Sequence, residues 1–415
     1  MDGYQKFQNF CDELTKYNCS ILTINHNEAQ SIYGTNTISY SVNILGAIKP
    51  SSHADVVKIV TLANQIKVKL YTISTGHNWG YGSATPVVDD CVIIDLSQMN
   101  AIISFNHENG LMTLEPGVTT YQAWLYLKEH EYPYLIPTTG AGLSGSLLAN
   151  ALERGFGIVP ISDHFSAVMH IKAVLADGST YESHHDSLAP NTQLGKLYKW
   201  GIGAYCDGLF TQSNLGIVTE ITIALRRQPE NICLCFIGAN NQDLECLIQV
   251  IHVLNQTYAS HFGCIQLMNR NRLSALNNKN DRIREQDWNL FLVIYGNSEV
   301  IKLVQTEIIK QTNHYAVTRT FIHEKKIKIL FTLQNKLIIK LIEKVAKVSI
   351  DDIKELFSFF RGKPTNKAIV EILYPGLDAS KQNKPLDLDK DKKGIFWVAP
   401  LIPLSQNHIN DFSKM

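Results

Sequence analysis

No run of eighteen apolar residues occurs in the 415-residue sequence, and Met1 to Leu14 carry no apolar core, so neither a membrane-spanning helix nor a secretory leader is read from it. An excess of either charge is lacking too. The 38 lysines and arginines balance 38 aspartates and glutamates, which excludes a broad positive field for a nucleic-acid backbone. Cysteines number only eight and are scattered; Cys233 and Cys235 stand too close for a zinc half-site, and no second cluster completes one. They read as reduced core thiols, without a metal, and the default location is the cytoplasm. Internal repeats and low-complexity tracts are also missing. What remains is a chain of two or three domains with 45% hydrophobic residues, enough for real cores.

Patterning divides the chain. Tyr4 to Tyr17 reads as a helix, and Pro50-Ser51-Ser52-His53-Ala54-Asp55 opens a second one whose Val56, Val57, Val60 and Ala63 recur at three and four. Short β-rich runs at Lys69 to Ser74, Cys91 to Leu96, Ala101 to Asn106 and Leu111 to Glu115 offer a sheet. Asp177-Gly178 suits a hairpin between Ile171 to Ala176 and Thr180 to Ser183, and Ile217 to Leu225 alternates. After Arg226-Arg227-Gln228-Pro229 the texture changes to two β-then-α units: Ile232 to Ile237 with Leu244 to Leu254, and Leu290 to Tyr295 with Val300 to Lys310. The expectation is an α+β protein with a boundary near residue 228. Lysines from Lys325 to Lys347, interleaved with Ile, Leu and Val, read as the solvated face of a helix, with a membrane-surface helix as the alternative.

Chemistry is expected where glycines let a loop present backbone N–H groups to a phosphate without needing lysine. One such segment, Ser74-Thr75-Gly76-His77-Asn78-Trp79-Gly80-Tyr81-Gly82-Ser83, follows a strand directly. Another is Gly140-Ala141-Gly142-Leu143-Ser144-Gly145, leading into Ser146-Leu147-Leu148-Ala149-Asn150. The second satisfies a GxGxxG pattern but lacks the surrounding N-terminal βαβ unit and a suitably placed acid, so a Rossmann reading is rejected.

These segments resemble the vanillyl-alcohol oxidase and para-cresol methylhydroxylase flavoprotein family. The resemblance extends through Leu114-Glu115-Pro116-Gly117-Val118-Thr119, Gly145-Ser146, Asn150-Ala151-Leu152-Glu153-Arg154-Gly155-Phe156-Gly157 and Asp163-His164-Phe165. It closes on Asp207-Gly208-Leu209-Phe210-Thr211-Gln212-Ser213-Asn214-Leu215-Gly216-Ile217-Val218-Thr219, and covers about Ile44 to Leu225. It implies a two-subdomain FAD-binding domain over residues 1–228 and a ferredoxin-like substrate cap over 229–415. Implied cofactor contacts are Ser74, Thr75, Gly76, His77, Asn78, Gly80, Gly82 and Ser83 at the pyrophosphate. Pro137, Gly142, Gly145, Ser146, Asn150 and Gly155 follow along the second face, with Gly216, Ile217 and Val218 towards the adenine end.

The implied chemistry is hydride transfer from the benzylic carbon of a para-alkylphenol to flavin N5, with the substrate held as phenolate and a quinone methide formed. Tyr81 matches a phenol-binding tyrosine and is the catalytic residue carried over; a tyrosine that only packs the loop is the alternative. For His77 two readings stay open, covalent attachment of FAD through the imidazole or a non-covalent loop histidine. Ala141 falls where vanillyl-alcohol oxidase has an aspartate near N5. Arg154 reads as an ion-pair partner of a neighbouring acid, and Asp163 with His164 as a pair holding a turn, with proton transfer as the alternative.

The family's later segments, with a second tyrosine, an arginine and a closing flavin loop, have no counterpart before Met415, so the cap is expected to be incomplete. Three functions stay open: an FAD-dependent oxidoreductase of phenolic or aromatic alcohols, a catalytically incompetent flavin-binding product of an interrupted reading frame, or an oxidase of another small alcohol or hydroxy acid. Oxygen or a carrier protein is the electron acceptor, and the resemblance implies a homodimer.

Overall fold

The computed structural model describes residues 3–17, 21–80, 84–140, 142–157, 160, 163–183, 194–201, 203–271, 286–332, 350–374, 377 and 386–394. Its first sheet holds β1 (Leu22–Ile24), β2 (Ile44–Lys49), β3 (Lys69–Ile73) and β4 (Cys91–Asp95) in the order β1-β2-β4-β3, parallel except for β1. Helices α1 (Gly3–Lys16) and α3 (His53–Ile66) cover one face through Phe10, Leu14, Ile59 and Val60, and α2 (His26–Tyr33) covers the other through Ala29 and Tyr33. With both faces buried, β2 and β4 have no polar side, which is why β2 carries no alternation to read.

Helix α3 begins and ends as its sequence dictates. Ser52 Oγ accepts from Asp55 N–H, Asp55 Oδ2 accepts in return from Ser51 N–H, and Lys67 closes the helix in the left-handed region at φ 63°. Of the expected apolar positions, Val56, Val60 and Ala63 are buried, joined by Ile59 and Leu62, while Val57 is partly buried.

The second group comprises β5 (Ile102–Asn106), β6 (Leu111–Leu114), α4 (Thr120–Glu129), β7 (Tyr134–Leu135), α5 (Leu147–Leu152), β8 (Val168–Leu175), β9 (Thr180–Glu182), the single-turn α6 (Leu194–Leu197), β10 (Gly216–Ala224) and β11 (Arg226–Arg227). Five of its strands make an antiparallel sheet ordered β5-β6-β10-β8-β9, while β7 pairs with β11. The expected hairpin turns at Gly178, φ 87°, with Asp177 Oδ1 accepting from Ser179 N–H. Val174 and Ile217 reach the cluster built on α3, so this helix lies between the two sheets.

The third sheet is formed by β12 (Asn231–Ala239), α7 (Leu244–Tyr258), β13 (Phe262–Asn269), β14 (Trp288–Gly296), α8 (Ser298–Thr312) and β15 (Thr318–His323), ordered β13-β14-β12-β15 and antiparallel throughout. This βαββαβ order is the ferredoxin-like pattern. Helices α7 and α8 pack on one face; α9 (Glu324–Thr332) and α10 (Ile350–Phe360) cover the other through Ile327, Ile353, Phe357 and Phe360. A last short helix, α11 (Lys367–Leu373), follows. The α+β class expected from the sequence is the one observed.

Some details differ from the sequence reading. Strand β4 stops at Asp95 rather than Leu96 because Asp95 Oδ1 accepts from Ser97 N–H and starts a 3-10 turn. Of the lysine-rich stretch, 325–332 belong to α9 and 333–349 lie outside the described residues. Of the six cysteines whose side chains are described, four are buried free thiols, whereas Cys11 and Cys206 are partly exposed.

Asp95 is 5% exposed and also accepts from Tyr33 OH at 2.7 Å and Lys49 Nζ at 2.8 Å. Burial pushes its carboxyl up, but hydrogen bonds from Lys49, Ser97 and Tyr33 outweigh that and hold it below the usual carboxylate range. Its stabilising contribution is therefore present at neutral pH and is lost as the pH falls through the depressed value. Asp95→Ala is expected to destabilise the fold by about 3 kcal/mol or more, since Lys49 keeps its charge without this partner. Urea unfolding of the variant at pH 7 measures this, and a loss below about 1 kcal/mol contradicts a central role for the pair.

Candidate functional site

The first glycine segment leaves β3 and turns back on itself. Gly76 and Gly80 have φ of 70° and 80°, a conformation glycine adopts without steric cost, and Asn78 Oδ1 accepts from Gly80 N–H at 2.9 Å. A side chain at Gly80 would strike the carbonyl of Lys393, so the loop is flush against residues far along the chain. There, Asp389 Oδ1 accepts from both Thr37 N–H and Thr37 Oγ1 at 3.0 Å, and Lys393 O lies 3.1 Å from the same hydroxyl. Burial holds the His77 imidazole below its ordinary value, against the opposing charges of Asp387, Asp95 and Asp389. The ring is accordingly neutral at pH 7, the form with a free nitrogen lone pair. Tyr81, Gly82 and Ser83 lie outside the described residues, as does Ala141.

The second segment follows β7. Ile136, Pro137 and Thr138 are buried; Gly142 then turns at φ 91°, with Thr120 Oγ1 donating towards the carbonyls of Gly142 and Leu143. Thr120 N–H donates to Gly145 O, and Ser146 Oγ both donates to Pro116 O at 2.6 Å and caps α5 by accepting from Ala149 N–H. Among the described residues, chain neighbours apart, no heavy atom lies within 4 Å of where a Cβ on Gly145 would sit, which leaves room for a ligand at the backbone there. Leu143 N–H donates to Asn366 Oδ1 at 3.0 Å, bringing in a residue that the motif reading missed.

At the end of α5, Arg154 stands at φ 54° and Gly155 sits so close to Asn150 that any side chain would collide with the Asn150 amide oxygen. Arg154 donates from Nε and Nη2 to Thr211 Oγ1, a hydroxyl in place of the acid partner expected from sequence. Asp163 Oδ1 accepts from Ser166 N–H, in keeping with a turn-holding role. A cavity of about 370 Å³ is lined by Arg154, Gly155, Phe156, Asp163 and Phe165. Burial, with smaller contributions from the charges of Tyr40, Glu153 and Cys91, raises the Tyr71 phenol on β3.

The third set of expected contacts lies in a strand. Gly216, Ile217 and Val218 on β10 pair with Leu175, Val174 and Ala173 of β8; Val218 is buried and Ile217 packs towards α3. A Cβ on Gly216 would come within 2.7 Å of Val174 O, so close strand packing already accounts for this glycine.

The donor set fits a bound dinucleotide on two observations. Gly145 leaves its backbone open, and two buried polar atoms beside the second loop, Thr138 Oγ1 and Asn366 Nδ2, have no hydrogen-bond partner among the described residues. Folded proteins rarely leave such atoms unmet except where a ligand or water arrives.

A family model described as an FAD binding domain matches residues 44–183, the stretch that contains both glycine loops. The chain carries an FAD binding domain. Over 203 residues the chain is 37% identical to the 1'-carboxy-chondrochloren decarboxylase of Chondromyces crocatus, and over 183 residues it is 35% identical to the 4-cresol dehydrogenase [hydroxylating] flavoprotein subunit of Pseudomonas putida. These matches span 49% and 44% of this chain but only 37% and 35% of the relatives' own lengths. In three dimensions, the 4-ethylphenol oxidase of Gulosibacter chungangensis superposes with a TM-score of 0.73 at 20% identity, covering 88% of this chain and 72% of that one. Para-cresol methylhydroxylase gives 0.66 at 23% identity, covering 78% and 66%. At these identities the superpositions establish a shared fold, now including the ferredoxin-like part that follows the FAD binding domain.

Within this domain His164 offers a measurable signature. It is 2% exposed, and Asn150 Nδ2 lies 2.5 Å from its Nδ1; with Asn150 donating, the ring proton sits on Nε2. Burial, partly opposed by Asp163, lowers its pKa to about 4 from an ordinary 6.5. Because the folded value is the lower one, the associated stability is whole above pH 6.5 and is lost as the pH falls towards 4, by about 3 kcal/mol at most. Urea unfolding at pH 7 and pH 4.5 is expected to show a steeper loss for the natural protein than for His164→Asn. Parallel losses in the two would refute the assignment.

Proposed function

We propose that the chain is an FAD-dependent oxidoreductase acting on a para-alkylphenol or a related small aromatic alcohol. The observation that carries this reading is the 35% identity over 183 residues to a protein named for 4-cresol dehydrogenation. In this reading residues 1–228 hold the cofactor and 229–415 form the cap over the substrate.

The backbone N–H groups of Ser74 to Gly80, with Gly82 and Ser83, hold the pyrophosphate; Pro137, Gly142, Gly145, Ser146, Asn150 and Gly155 line the second face, and Gly216 to Val218 approach the adenine end. When bound, FAD supplies a two-electron acceptor for hydride from the carbon attached to the aromatic ring. Tyr81 donates to the substrate oxygen and lowers the cost of ionising the phenol; the phenolate's electron pair then compensates loss of hydride from that carbon, leaving a neutral quinone methide. His77, neutral and partly buried, is the residue through which covalent attachment would occur. Electrons leave to oxygen or to a carrier protein. A second reading, oxidation of a 2-hydroxy acid, is favoured by the 28% identity over 206 residues to the D-2-hydroxyglutarate dehydrogenase of Stutzerimonas stutzeri.

Anaerobic addition of 4-ethylphenol to the FAD-loaded protein is expected to bleach the flavin absorbance. Bleaching by a 2-hydroxy acid and by no phenol selects the second reading, and no bleaching by either class overturns both. Acid precipitation is expected to leave yellow flavin in the pellet of the natural protein and in the supernatant of His77→Ala. Flavin in the supernatant from both proteins rules out the His77 bond.

A further inference from the structure

Asn366 stands at the start of α11, where its carbonyl accepts from Val370 N–H but its side chain makes no cap bond to the helix. Its amide oxygen accepts from Leu143 N–H at 3.0 Å, across 223 residues of sequence. That bond fixes which way the amide faces, because only the oxygen can meet an N–H. Nδ2, with two donor hydrogens, is therefore turned away from Leu143. It is buried, in a residue 5% exposed, and it has no partner among the described residues.

The surroundings show what the amide is set against. Gly142, at φ 91°, would bring a Cβ within 2.5 Å of Asn366 Oδ1 and 3.2 Å of Ile369 Cδ1, so the loop backbone and the amide are in direct contact. Three residues on, Gly145 leaves its backbone open to a ligand, and two residues before Gly140 the buried Thr138 Oγ1 is also unmet. Unmet polar atoms thus accompany the second glycine loop both in its own approach segment and from the C-terminal half of the chain.

We propose that Asn366 is a ligand-binding residue whose Nδ2 donates to a hydrogen-bond acceptor on the molecule held against the Gly142–Gly145 loop. That acceptor is a carbonyl oxygen or ring nitrogen of the flavin, or the oxygen of the aromatic substrate. The proposal rests on the flavin reading above and deepens it, because it makes the binding site a joint product of the FAD binding domain and of a residue well outside residues 44–183.

Asn366→Asp tests it in the full chain. The substitution keeps an oxygen for Leu143 N–H and replaces the donor by an acceptor, whereas Asn366→Ala removes both. The expected result is an Asn366→Asp apoprotein that melts like the natural one but has lost ligand affinity tenfold or more. FAD titration and the flavin absorbance envelope read the flavin source; 4-ethylphenol titration of the FAD-loaded protein reads the substrate source. If Asn366→Asp matches the natural protein within twofold for both ligands, the amide serves only Leu143 and the proposal is overturned. Should Asn366→Asp melt early, the similarly sized Asn366→Leu decides by the same titrations, unchanged affinity for both ligands again overturning it. A natural protein that binds no FAD overturns the flavin reading itself, a failure distinct from equal binding by variant and parent.

Discussion

A loop that presents backbone N–H groups to a ligand cannot also bury its own side chains, so something else must hold it in shape. In this protein the two glycine loops are held in part by contacts from the far end of the chain. Asn366 accepts from Leu143 in the second glycine loop, and the backbone of Lys393 and Gly394 lies against Gly80 in the first. Between them, Lys393 Nζ donates to Leu373 O at 2.7 Å and stands 4.1 Å from the centre of the Tyr374 ring, while Tyr374 OH donates to Asp391. One run of the C-terminal half thus touches both loops and is braced on itself. Arg361 anchors its beginning through Glu324, with further donation to the backbone carbonyls of Pro229 and Glu230 where the third sheet begins.

The glycine loops were readable from sequence because the cause of their shape is local. A left-handed turn favours glycine wherever it occurs, and the asparagine that braces the first loop lies within two residues of Gly80. The same holds for α3, where Ser52, Asp55 and the three-four spacing of valines sit within one short stretch. Elements buried on two faces were harder. Residues 44–49 form such a strand, without any polar alternation, and the edge strands β13 and β15, the latter partly exposed, were not legible either, although the helices beside them were. Their identity as strands comes from the partners across the sheet, which no local window contains.

Asn366 and Asp389 mark the limit of such reading. Each is a small polar residue in an unremarkable stretch, and each acquires meaning from a backbone N–H 223 or 352 residues earlier in the chain. Arg154 shows the converse: a charged residue at a motif position invites an acidic partner, and the fold supplies the Thr211 hydroxyl instead. Neutral composition gains a physical sense from this arrangement. Backbone donors and amide groups can receive an anionic dinucleotide without a surplus of lysine, so balanced charge is compatible with an FAD binding domain.

The Thr37–Asp389 bond also bears on the order of events during synthesis. A chain emerging amino terminus first completes residues 44–183 while Asp389 and Lys393 have not yet been translated. For most of translation the first glycine loop therefore has no cover, and its closure belongs among the last contacts made, those of longest loop and greatest entropic cost. Cofactor capture before that closure and cofactor capture after it are two distinct routes, and the nascent chain passes through the open one first.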